Sequence, residues 1–232
     1  MLVKFSRLLS LLLCCFTLLP AYAGVSEYMA MLSPESKGCY HEALGDSTKG
    51  RPQAALAKLE ALLMTSPVSV GVDETTIPAR SREFYEGVEE GIGIWATNLP
   101  DSPFRLAQVG EKPVVTIKFV PSIPGARDLQ GQIEAQHQFQ WTSRSRSSRL
   151  TAVMQVVYKT DGRLLRKEEV AQVVAHELGH LLGLTDEDRS TGLMGPFTPG
   201  RLVRGPNATE VTAVNEFRKA LRENIQRIQA KL

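Results

Sequence analysis

His176, Glu177 and His180 open the run His176-Glu177-Leu178-Gly179-His180-Leu181-Leu182-Gly183-Leu184-Thr185-Asp186. On a helix, histidines four apart project from one face about a turn from each other. Imidazoles so placed can each give one nitrogen to the same Zn²⁺, at about 2.0–2.1 Å. Glu177 sits at the edge of that face, where its carboxylate reaches a water on the metal without taking a coordination position. The chemistry expected is activation of that water by a carboxylate general base. A helix that ran straight on would carry later side chains away from the metal. Gly183 can take φ > 0 and stop it, so the chain can turn back and offer Asp186 as a third ligand. Further on, Gly192-Leu193-Met194-Gly195-Pro196 has the composition of a tight turn with a methionine at its centre.

Two rival readings bear on these residues. An H-E-x-x-H run by itself also fits an amphipathic helix with two surface histidines. The chain has four histidines, two of them here, and the glycine, the acid and the methionine turn follow in order, which favours the metal. Asp188 or a water is the rival third ligand, in which case Asp186 only caps the turn. Met194 taken alone reads as a core methionine.

The full pattern resembles the metzincin clan of zinc endopeptidases: an extended zinc motif followed by a Met-turn. Histidine is usual in that clan where this chain has Asp186. Aspartate there is similar to the snapalysin-type variant, while Leu193-Met194-Gly195-Pro196 looks more like the matrixins. The resemblance runs from about residue 80 to 232 and is strongest between 170 and 197. It implies one catalytic Zn²⁺ on His176, His180 and Asp186, Glu177 as general base, and Met194 supporting the site. It also implies a peptide lying antiparallel to an edge strand, expected at residues 131–141, and a specificity pocket walled in part by Pro196 and Phe197. The tyrosine that some members offer as a further ligand after the Met-turn does not occur here. Matrixins commonly hold a second zinc and calcium in the loops before the active helix. The corresponding stretch, Trp141-Thr142-Ser143-Arg144-Ser145-Arg146, has no acidic cage, so neither ion is expected there and its arginines read as solvated.

The elements that must position these residues are legible from patterning. The zinc helix is expected to begin near Arg166–Lys167, with Glu168 and Glu169 in its first turn where acids suit the dipole. Val170, Val174 and Leu181 are expected to anchor it to a sheet. Ile77 to Asn98 reads as an amphipathic helix with Phe84, Val88, Ile92 and Trp95 on one side. Val114–Val120, Gly131–Trp141 and Thr151–Tyr158 read as strands, and Asp161-Gly162 as a turn. His137 is expected as a surface strand residue. A final helix is expected from Thr209 to Ala230, capped by Asn207 or Thr209. The fold class expected is α+β: a metzincin-like zincin with a mixed twisted sheet, an active-site helix and a small C-terminal helical subdomain.

The N-terminus differs in kind. Lys4 and Arg7 precede an apolar run, Leu8–Leu19, and Ala21-Tyr22-Ala23 offers a cleavage site, so residues 1–23 read as a secretory signal peptide. Its removal takes two positive charges and no acids, bringing the formal charge from +2 to about 0, so nothing argues for nucleic acid or a membrane surface as partner. It also removes Cys14 and Cys15, leaving Cys39 with no internal disulfide. Cys39 reads as a structural thiol, since Ser36-Lys37-Gly38-Cys39-Tyr40 lacks the motif with which matrixin prosegments block zinc. Residues 24–75 read as a helical segment, with Ala54, Leu56, Leu59, Leu62 and Leu63 as its stripe. It is either a prosegment or a helical layer on the enzyme, and residues 76–232 are the catalytic domain. At 43% hydrophobic and 22% charged, the chain has enough apolar surface for one sizeable core. The expected product is a secreted, monomeric zinc endopeptidase acting on a protein or peptide. Alternatives are an idle binding protein of the same fold, against which the intact Glu177 argues, and a hydrolase of a non-peptide amide such as a cell-wall crosslink.

Overall fold

The computed structural model describes residues 28–124, 130–188 and 191–232. The signal peptide expected at 1–23 lies outside them. No helix among the described residues is long and apolar enough to cross a membrane.

Two helices, α1 (Pro34–Thr48) and α2 (Pro52–Leu63), lead into strand β1 (Val68–Val72). Two 3₁₀ turns precede α3 (Arg82–Asn98), and then come β2 (Phe104–Leu106), β3 (Val115–Val120), β4 (Gly131–Trp141) and β5 (Arg146–Val157). A small hairpin, β6 (Lys159–Thr160) and β7 (Arg163–Leu164), turns on Asp161 and Gly162, both at positive φ. Helices α4 (Lys167–Leu181) and α5 (Ala208–Gln229) complete the chain. The main sheet has the order β2-β1-β3-β5-β4. Its first four strands run parallel, and β4 pairs antiparallel with β5 at the edge. This is the expected α+β class, with a mixed five-stranded sheet and a C-terminal helix.

Four expectations are corrected. Residues 24–75 read as helical, yet Val68–Val72 forms the buried inner strand β1; with the three-residue β2, it extends the expected three strands to five. Strand β5 begins at Arg146 rather than Thr151, because β4 pairs with it all the way from Gly131↔Val156 to Trp141↔Arg146. Helix α3 begins at Arg82 rather than Ile77, since the preceding turns carry Ala79 at φ 52°. Val170 and Val174 are fully buried, but their close contact is with α3: a Cβ on Gly87 or Gly91 would sit 2.8–2.9 Å from them. Two glycines four apart thus cut a notch in α3 that lets α4 approach closely, while Leu181 is only half-buried.

Apolar side chains from every layer form one core. Leu32 and Leu56 from the N-terminal part, Met154 from β5, Leu178 from α4 and Phe217 from α5 belong to the same cluster. Burial of such side chains contributes roughly 1.5–3 kcal/mol each. At the far end, Arg218 is buried and donates to the Leu63 and Asp101 carbonyls, tying α5 to the end of α2.

Candidate metal centre

Helix α4 delivers the first two ligands. It starts firmly because Glu169, wholly buried, accepts the Arg166 N–H at 2.8 Å and a forked pair from Arg163 at 2.6 Å each. It ends at Gly183, whose φ of 98° is the left-handed turn that a side chain would disfavour. The Gly183 and Leu184 N–H groups close the last turn onto the carbonyls of His180 and Gly179. The chain then reverses and brings Asp186 back over the histidines.

His176 Nε2 lies 3.0 Å and His180 Nε2 3.5 Å from Asp186 Oδ1. One ligand atom from each of the three residues lies within 4.8 Å of the others. Among the described residues this is the only group of three or more His, Cys, Asp or Glu side chains so arranged. Asp188 lines the adjoining pocket and is not part of it.

The tautomers follow from the opposite ring nitrogens. His176 Nδ1 donates to the Leu193 carbonyl at 2.8 Å, and His180 Nδ1 to the Leu184 carbonyl at 3.0 Å. A carbonyl only accepts, so each neutral ring keeps its proton on Nδ1 and turns the Nε2 lone pair inward. Two lone pairs and a carboxylate oxygen therefore converge on one point, where a metal ion, or a proton, can sit between them. Two imidazoles and a carboxylate, with the histidines oriented by backbone carbonyls and room for water, fit Zn²⁺. The same convergence attracts protons. Burial opposes a charge on His180, but Asp186 and Glu177 beside it bring its pKa up to about 9. Hydrogen bonds from His176 and His180 hold Asp186 well below the usual carboxylate range.

Glu177 is 3% exposed and faces the start of β4. A Cβ on Gly131 would lie 2.5 Å from its Oε1, so a larger residue there would push the Glu177 carboxylate aside. Burial raises its pKa, opposed by the nearby histidines and by a hydrogen bond from the Ile133 N–H. A carboxylate raised in this way is a better proton acceptor than an exposed one.

Met194 is buried against α4 beside Gly179, which adjoins His180: its Sδ lies 2.5 Å from where a Cβ on Gly179 would be. Pro196 and Phe197 line a pocket of about 210 Å³ with Gly131, Val173, His176 and Glu177. His137 is exposed on β4 and stacks on Phe139. Cys39 is half-buried, and burial pushes its thiol up to about 11. The arginine loop differs from expectation: Arg146 is not solvated but forks onto Glu60 at 2.6 and 2.9 Å.

Sequence reasoning missed Glu210. Wholly buried in the first turn of α5, it accepts the N–H groups of Leu193 at 3.0 Å, Met194 at 2.9 Å and Asn207 at 2.7 Å. Asn207 returns the bond by accepting the Glu210 N–H, which makes a capping box. The signal was present, since Asn-x-x-Glu before an apolar stripe is that motif. What it did not tell is that the same carboxylate holds the methionine turn.

Residues 103–212 match the matrixin family. That stretch includes β2 to β5, the whole metal centre and the start of α5, and leaves out α1, α2, β1 and α3. No curated protein matches the chain.

Proposed function

Proceeding from a chain that is matrixin-like and of the metzincin clan, we propose that it is a secreted zinc endopeptidase that hydrolyses peptide bonds. The matrixin family normally binds zinc and acts as metallopeptidases, so hydrolysis is the reaction class of the match. His176, His180 and Asp186 hold one Zn²⁺, which when bound supplies Lewis acidity to a water and to the scissile carbonyl. Glu177 takes the proton from the attacking water and passes it to the leaving amine. Its burial and its N–H bond from Ile133 keep the carboxylate aimed and away from bulk water.

Strand β4 is the edge of the sheet and begins against Glu177, so an extended peptide laid along its open side runs past the metal. Pro196 and Phe197 wall the pocket that receives the side chain next to the cut. Secretion rests on the basic, apolar and small-residue regions of residues 1–23.

The observation that carries this reading is the convergence of three lone-pair donors whose outer partners fix their orientation, with a buried carboxylate alongside. Its test is metal content and peptide hydrolysis measured together. The mature protein is expected to hold about one equivalent of zinc and to cleave peptides until a chelator removes it. Glu177→Ala is expected to keep the zinc and lose nearly all hydrolysis. Wild-type turnover in that variant would sink the mechanism.

A further inference from the structure

The N-terminal part of the chain lies against the loop that carries Asp186. Leu32 bridges Leu184 in antiparallel register. The Ser33 N–H donates to the Gly183 carbonyl at 2.8 Å, and the Thr185 N–H to the Met31 carbonyl at 2.9 Å. Those bonds fasten the three residues that lead from α4 to Asp186. Ser36 reaches the same place, with its Oγ 3.3 Å from where a Cβ on Gly183 would lie.

Beyond this clamp, α1 and α2 form a wall. Ser33, Glu35 and Cys39 face β4 residues Ile133 to His137 and Phe139 across a cleft of about 520 Å³ that includes His180. The cleft takes in His180, whereas Pro196 and Phe197 line the other pocket, with His176. Ala61 of α2 and His137 of β4 line this cleft and also a separate pocket of about 240 Å³ beyond it. Helix α2 therefore crosses the far end. It is fixed there by Arg146, which holds Glu60 and, at 3.0 Å, Gln53. From Ile133 to Phe139 the strand offers seven positions, at roughly 3.3 Å each.

We propose that residues 31–63 are a permanent wall of the substrate cleft. They clamp the Asp186 loop and close the cleft beyond His180, so a bound peptide extends only about seven residues past the scissile bond in that direction. The occupant is the substrate's own backbone and side chains, because the cleft is continuous with the metal centre at His180. The proposal rests on the peptidase reading and adds a limit on where a chain is cut.

The test uses the zinc-loaded mature protein and oxidised insulin B chain as a long unfolded probe. Intact mass of the active species is expected to retain residues 31–63, and product mapping to put the cuts near one end, the same end in each successive product. Activity that appears only after loss of the chain through Leu63 would overturn the proposal, as would early cuts far from both ends. Ala135→Trp, at an exposed strand position facing the cleft, is expected to move the preferred bond closer to that end and to raise KM. Lys219→Trp, exposed on α5 and outside the cleft, is expected to leave the product pattern alone. An unchanged pattern in Ala135→Trp would overturn the cleft assignment. Failure to cut any peptide sinks the peptidase reading and this inference together, whereas cuts deep in the chain sink this inference alone.

Discussion

Glu210 accepts the N–H of Leu193 at 3.0 Å, and the carbonyl of the same Leu193 accepts His176 Nδ1 at 2.8 Å. A carboxylate on α5 thereby sets the position of a metal ligand on α4, through one residue of the methionine turn. Glu210→Ala would leave the Leu193 and Met194 N–H groups buried without a partner, at roughly 1–3 kcal/mol each. It would also free the carbonyl that orients His176. Loss of such an outer partner typically weakens metal binding by about 10–100-fold. Chelator competition on the folded variant is expected to find a loss in that range. Wild-type zinc affinity in a folded Glu210→Ala protein would break the proposed link.

Gly179 and Met194 meet too closely for any larger residue at 179. The missing Cβ leaves the space that Met194 Sδ fills, with Trp95 at 3.3 Å on the other side. Gly179→Ala must push the methionine away from α4 beside His180. Overpacking of this kind costs about 1–3 kcal/mol. A lower melting temperature is expected, with weakened zinc binding. Gly93→Ala on α3, where a Cβ meets open space, is the control expected to cost nothing.

The metal residues were legible because their geometry is local: a spacing of four on one helix, a glycine and an acid a short turn away. Glu169 and Glu210 looked like ordinary first-turn acids. Their partners Gly200 and Leu193 lie 31 and 17 residues away, which no periodicity encodes. Strand β1 was hidden by Pro67 and Gly71, since turn-forming residues at the ends of a short buried strand read as the end of the preceding helix. Helix α1 had a readable start in Ser33-Pro34, with the serine accepting the Ser36 N–H at 3.1 Å, but no apolar stripe to extend it. The N-terminal segment read as either a prosegment or a helical layer, and nothing local chose between them. Its bonds to residues 183–185 cross most of the chain.

Glu169 makes stability depend on acid. Forked bonds from Arg163, with backbone bonds from Arg166 and Gly200, bring its pKa down to about 2 against burial that would raise it. Its unfolded value is about 4.3. A depressed carboxylate contributes stability that is fully present above the unfolded pKa and is lost as pH falls through the folded one. The side chain is fully buried but Arg163 is partly exposed, so the contribution is on the order of 2 kcal/mol. Urea unfolding of wild type is expected to weaken from about pH 5 down to about pH 2. Glu169→Gln is expected to be less stable at neutral pH and to show a flatter slope over that window. An equal slope in both proteins would remove Glu169 from the account.

Asp186 and Asp188 are separated by one residue and differ in what they meet. Asp186 Oδ1 lies within 3.5 Å of both histidine Nε2 atoms, whereas Asp188 only lines the neighbouring pocket. Asp186 is also the better placed, since the Glu187 N–H donates to the Met194 carbonyl at 2.9 Å and fixes the residue that follows it. Asp186→Ala removes one of three direct ligands. Its zinc affinity is expected to fall further than the roughly 10–100-fold typical of an outer partner. Asp188→Ala is expected to bind zinc as wild type does. The two affinities, measured side by side at one pH by chelator competition, decide the ligand. If Asp188→Ala loses zinc and Asp186→Ala holds it, the third ligand has been assigned to the wrong acid. If both hold it, a water completes the centre and Asp186 serves only to close the turn after Gly183.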